Sequence, residues 1–197
     1  VISAPNASST TLSTVDGDHL YGMIYTANPG AVAHAASWVN SIFADLHPAG
    51  YARSFISNAA DGQAVGTAYI GETAHAGFWI NGVFADLNPP GVSVSSLSVT
   101  KEGLQAGSAD NVPGLWLGTA DSFVPLPNLA PSGFSTAYIS DLEVAPDGSL
   151  TLIGGGYNSA TSRNEALLWR SITACSGDLN GDQMIDLTDL TGLLAHF

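Results

Sequence analysis

The stretch DGQAVGTAYIGETAHAGFWINGVFADL, Asp61 to Leu87, decides how this chain folds, because the rest of the sequence reads as fuller or poorer copies of it. An Asp-Gly turn leads into an apolar run through Gly66, a second run carries His75 and Trp79, and a third carries Phe84 and Leu87. Each run has strand length. Asn81-Gly82 between the last two is a strong hairpin signal, since both residues accept positive φ.

Working outward, His34 precedes His75, Trp38 precedes Trp79, and Phe43-Ala44-Asp45-Leu46 precedes Phe84-Ala85-Asp86-Leu87, each by 41 residues. The turn recurs as Asp16-Gly17, Asp61-Gly62, Glu102-Gly103 and Asp147-Gly148, and the tryptophan as Trp38, Trp79, Trp116 and Trp169, which gives four copies. A self-similar period near 40 with several short strands per copy marks a propeller or another stacked β array, because one unit cannot bury its own apolar face. The expected fold is therefore all-β. It is a β-propeller-like array of about four blade repeats over residues 1–174, followed by a small C-terminal calcium loop and helix over residues 175–197.

The later copies drift. Leu115 to Leu117 and Phe123 to Leu126 take the last two strand places of the third copy, and Pro125 stands where the others have Asp45 and Asp86, which predicts an outer edge strand. The fourth copy begins at Tyr138, runs from Ser149 to Ile153 and returns through Ala166 to Arg170, with Gly154-Gly155-Gly156 and Asn158 to Asn164 as a long loop. It lacks a fourth strand. An uncovered strand edge invites unwanted pairing, so Val1 to Ala4, or a neighbouring subunit, is expected to fill that place.

The chain has 197 residues, is 45% hydrophobic and contains 22 glycines, ample material for a β core. Lys101, Arg53, Arg163 and Arg170 are its only lysine and arginines, and the net charge is −13. That balance excludes nucleic acid as a partner, since phosphate binding needs cationic side chains. No run approaches the roughly 18 apolar residues of a spanning helix, so the chain is not expected to span a membrane. Cys175 is the single cysteine, which rules out a disulfide within the chain.

The phrases His-Ala-x-x-Trp, Phe-Ala-Asp-Leu and Asp-Gly-x-x-Val-Gly resemble the HAF-type repeats of bacterial surface and secreted proteins, over roughly residues 10 to 172. That resemblance implies a propeller-like β fold and an extracellular or cell-surface location. It says little about activity, because propellers host many unrelated functions.

Beyond Cys175 the composition changes. Asp178, Asn180, Asp182, Asp186 and Asp189 place oxygen side chains at positions one, three, five, nine and twelve of an EF-hand-like loop, and Met184 offers its carbonyl at position seven. Six to eight oxygens directed at one centre suit Ca²⁺, the expected cofactor. Gln183 stands where glycine normally makes the sharp turn, and Asp189 is shorter than the usual bidentate Glu. Leu190, Leu193, Leu194 and Phe197 then fall on one helical face. Gly177-Asp178-Leu179-Asn180-Gly181-Asp182 ahead of that helix resembles one half of a type I dockerin, a family whose paired segments dock on cohesin domains.

His34 and His75 are equivalent in the repeat, as are Asp45 and Asp86, and side chains that obey a repeat serve the scaffold more readily than a unique reaction. The polar residues outside the repeat are Asp18, His19, His47, Asp110, Asp141, Glu143, Arg163 and Glu165. Of these, Asp141 and Glu143 alternate on a strand and face one side, the minimum for paired-carboxylate work. No nucleophile elbow or phosphate-binding glycine loop accompanies them. The expected role is a secreted or surface-attached structural or binding protein without enzymatic activity, a homo-oligomer or extracellular polymer with a protein or glycan partner. The alternative is an extracellular polysaccharide hydrolase or lyase.

Overall fold

A computed structural model describes residues 2–27, 30–126 and 134–171. The calcium ligands expected at Asp178, Asn180, Asp182, Met184, Asp186 and Asp189, the helix after them, Cys175 and Val1 lie outside the described residues. Within them the chain is all-β, in four antiparallel sheets of three or four strands taken in chain order. The first comprises β1 (Ala7–Asp16), β2 (His19–Thr26), β3 (Ala33–Val39) and β4 (Ile42–Asp45). The second comprises β5 (Arg53–Ala60), β6 (Gln63–Ile70), β7 (Thr73–Ile80) and β8 (Val83–Asp86). The third comprises β9 (Ser95–Lys101), β10 (Leu104–Ala109), β11 (Val112–Trp116) and β12 (Val124–Pro125), and the fourth β13 (Phe134–Val144), β14 (Leu150–Asn158) and β15 (Arg163–Arg170).

Tight turns join the strands. Asp61-Gly62, Asn81-Gly82 and Glu102-Gly103 all have positive φ at both residues, the conformation two-residue hairpins require. Asp16-Gly17 differs by one place: Asp16 ends β1 opposite His19, where Ala60 ends β5 opposite Gln63. The expected Asp-Gly equivalence is therefore out of register there, although the strands on either side align.

One irregularity recurs in every sheet. The register of the first strand slips between Leu12 and Thr14, between Ile56 and Asn58, and between Ile139 and Asp141, and β9 slips at the same place opposite Ala106 and Gly107. Opposite each slip stands a glycine: Gly22, Gly66, Gly107 or Gly154. A Cβ on any of them would overlap a carbonyl oxygen of the bulged strand. This corrects the reading of Gly154-Gly155-Gly156 as loop, because these glycines lie inside β14 and let β13 and the ring of Tyr138 approach closely. Likewise β11 starts at Val112, not Leu115, since Asp110-Asn111 with φ of 45° and 66° forms a tight hairpin from Ala109. Pro125 does lie on the outer edge of its sheet.

The sheets pack face to face in sequence, first on second, second on third, third on fourth. Trp38, Trp79, Trp116 and Trp169 occupy the same register place and are at most 5% exposed. Each of the first three lies against the aromatic ring of its own sheet's last segment, Phe43, Phe84 or Phe123. The third strand of the fourth sheet, β15, has no further strand beside it among the described residues. Ile2 to Ala4 do not pair with it; Ile2, Ala4 and Ala7 pack instead on the first sheet, around Trp38.

Candidate functional site

The polar residues of the repeat converge on the seams between sheets. In the first copy His34 Nδ1 donates to Asp45 Oδ2 at 2.9 Å, while Asp45 Oδ1 accepts the His47 amide. In the second copy His75 Nδ1 donates to Asp86 Oδ2 at 2.7 Å, and Asp86 Oδ1 accepts the Asn88 amide. The carboxylate thus caps the turn leaving each sheet and holds the histidine of the strand beside it. In the third copy the histidine place is Val112 and the carboxylate place Pro125, so both partners are gone together.

A second set of bonds crosses the first two seams. Ser54 opens the second sheet, and its hydroxyl oxygen accepts the Ala35 amide of the first at 3.0 Å. Ser54 donates in turn to His47 Nδ1 at 2.8 Å, and His47 Nε2 donates to the Tyr51 carbonyl, which defines the neutral tautomer. One repeat on, Ser95 accepts the Ala76 amide at 2.9 Å and donates to Asn88 Oδ1, and Asn88 Nδ2 donates to the Val92 carbonyl. His47 and Asn88 therefore perform one job, and His47 belongs to the repeat after all. At the third seam the amide place is Pro113, which has no N–H, and the hydroxyl place is Ala137.

The tryptophans complete the seam. Trp79 Nε1 donates to the Leu46 carbonyl at 2.9 Å and Trp116 Nε1 to the Leu87 carbonyl at 3.0 Å, each reaching the last residue of the preceding copy. Trp38 finds the same partner in the Ser3 carbonyl at 3.1 Å.

These surroundings perturb two groups. Burial, reinforced by the stacked ring of His34 at 3.9 Å, pushes the His47 imidazole below its ordinary value. Burial, then the hydrogen bond it donates to Asp86, pushes the Tyr51 phenol up. Both groups are engaged at the seam, His47 between Ser54 and the Tyr51 carbonyl and Tyr51 on Asp86. The Ser54 hydroxyl beside His47 is fully buried and already occupied by a backbone amide, so it cannot reach a substrate.

Clefts open along the same seams. One of about 420 Å³ runs past Asp110, Val112, Phe134 and Trp169, and one of about 630 Å³ past Met23, Tyr25, Phe55 and Arg53. Asp110 is committed to the amides of Ser93 and Val94, and Arg53 lies over the Tyr69 ring and pairs with Glu72. Asp141 and Glu143 are both exposed on one face of β13, as their alternation predicts, and Glu143 pairs with Lys101. Glu165 collects Asn158, Thr161 and Arg163, which hold its carboxyl at about 2. Asp18 pairs loosely with His19. Among the described residues no group of three His, Cys, Asp or Glu is disposed to hold a metal ion.

Sequence reasoning missed Ser54 and Ser95. Their signal was present, since they too are 41 residues apart, but serines attract no attention in a chain so rich in them. No protein-family model matches the chain, and no curated protein matches it.

Proposed function

We propose that this chain is an extracellular β-repeat protein of the HAF-type kind, a propeller-like scaffold for binding or building, with Ca²⁺ held at its C-terminus by Asp178, Asn180, Asp182, Asp186, Asp189 and the Met184 carbonyl. The observation that carries the reading is the use made of the repeated polar residues. Ser54 and Ser95 are spent on joining one sheet to the next, and His34 with Asp45 and His75 with Asp86 on tying together the last two strands of a sheet at the turn that leaves it. Side chains committed in this way stabilise a stacked array, and the net charge of −13 suits a calcium-rich exterior. The dockerin-like half would dock, when calcium-loaded, on the array or on another subunit.

Electron microscopy and reducing-sugar release, each with and without a chelator, test the reading together. Ordered particles or bound partners without turnover are the expected result. Monodisperse chains that cleave a polysaccharide would overturn it and favour the hydrolase or lyase. Calorimetry checks the metal: one Ca²⁺ per chain is expected, lost in the double variant Asp178→Ala, Asp182→Ala.

A further inference from the structure

The two ends of the array expose the very register places that the inner seams bury. On the face each sheet turns toward its successor, Tyr21, Val65 and Ala106 are buried, but the equivalent Ile153 of the fourth sheet is 48% exposed. One strand over, Ser37 and Phe78 are buried and the equivalent Leu168 is 55% exposed. On the opposite face, Ile56, Leu97 and Ile139 are buried against the preceding sheet, while the equivalent Leu12 of the first sheet is 45% exposed. Val15 repeats the contrast at 59%, where Ala59, Thr100 and Leu142 are buried.

The first sheet also carries an extra piece, and among the described residues the fourth sheet has no counterpart of it. Ser3-Ala4-Pro5 matches Leu46-His47-Pro48 and Leu87-Asn88-Pro89, and Ser3 gives its carbonyl to Trp38 as Leu46 and Leu87 give theirs to the next tryptophan. Ile2 to Pro5 therefore sits where the last strand of a preceding sheet would leave off. Beside β15 that last strand is missing among the described residues.

We propose that the occupant of both ends is a second copy of this chain, docked head to tail, with the first sheet of one copy on the fourth sheet of the next. This rests on the structural reading above and specifies its contact. The established seams supply the details by continuity. Leu46, Leu87 and Leu126 donate their amides to the carbonyls of Ala35, Ala76 and Pro113; the next acceptor in the series is Ala166, exposed on β15, and the next donor is the Ser3 amide of the incoming copy. Ser54 and Ser95 accept the amides of Ala35 and Ala76; the register places Thr10 as the next hydroxyl and Ala166 as the next amide. The third seam shows that these two partners come and go together, since Pro113 and Ala137 lack both. The end seam keeps both. Such a contact joins unlike surfaces, so it builds an open chain or a larger ring, not a two-fold dimer.

The test uses the full 197-residue chain in calcium buffer, followed by sedimentation velocity over a range of concentrations. Leu12→Asp blocks the head and Leu168→Asp the tail; Val15→Lys and Ile153→Lys form a second pair if circular dichroism shows either of the first misfolded. Wild-type protein is expected to grow in size with concentration, each variant alone to stay monomeric, and an equimolar mixture of head-blocked and tail-blocked chains to stop at dimers. A wild-type chain that stays monomeric throughout overturns the proposal and leaves the face to residues 172–197. So does assembly that neither variant changes, or a mixture that stays monomeric. Those outcomes leave the structural reading standing, which only turnover of a polysaccharide would remove.

Discussion

Trp79 shows how much one residue of the repeat carries. It is 1% exposed, packs against Phe84 and reaches across the seam to the Leu46 carbonyl. Trp79→Ala should therefore lower stability by about 3 to 5 kcal/mol in denaturant melts, with a neutral result refuting the seam assignment. Gly66→Ala should be costly for a different reason. Its Cβ would meet the Phe55 carbonyl at the bulge, and forcing the strands apart costs about 1 to 3 kcal/mol. His47 adds a pH dependence. Its pKa is lowered in the fold, so between the folded value and the unfolded value of about 6.5 the unfolded chain binds more protons. Stability should then fall as pH drops below about 6.5 and level off once folded His47 is protonated too. His47→Asn, which copies Asn88, should flatten that part of the pH profile. The tryptophans were legible as repeat residues from spacing alone. The job of His47 was not, because its counterpart is a different residue type.

At the scale of the element, the strands of the first two copies were readable because alternation and hairpin turns agree there. The fourth copy misled because glycine weakens an isolated strand, and only the bulge on β13 explains why three successive glycines sit inside β14. The seam bonds were illegible for a related reason: each joins strands from different sheets, and no local pattern marks Ser54 as the acceptor for Ala35. The third seam offers a test of that bond. Ala137→Ser alone should gain nothing, since Pro113 has no N–H to give, and Pro113→Ala alone should leave an amide without its acceptor. The double variant restores both partners. A double-mutant cycle should show favourable coupling within the usual range of about 0.5 to 3 kcal/mol, and additivity within error would refute the staple.

For the whole molecule, the repeat announced the stacked all-β array, while the order of packing and the two uncovered faces needed coordinates. Stability in such an array is close to a sum over neighbouring units, so the units need not come apart together. The first two seams are held by the same three-part bond, but one uses an imidazole and the other an amide. Mild acid therefore acts on them unequally. Native-state hydrogen exchange at pH 5 should show amides of β1 to β3 losing protection ahead of those in β6 and β7, whereas near pH 8 the two groups should open with similar free energies. A single substitution between two otherwise equivalent positions, histidine at 47 and asparagine at 88, thus gives a nearly symmetric molecule a direction in which it comes undone.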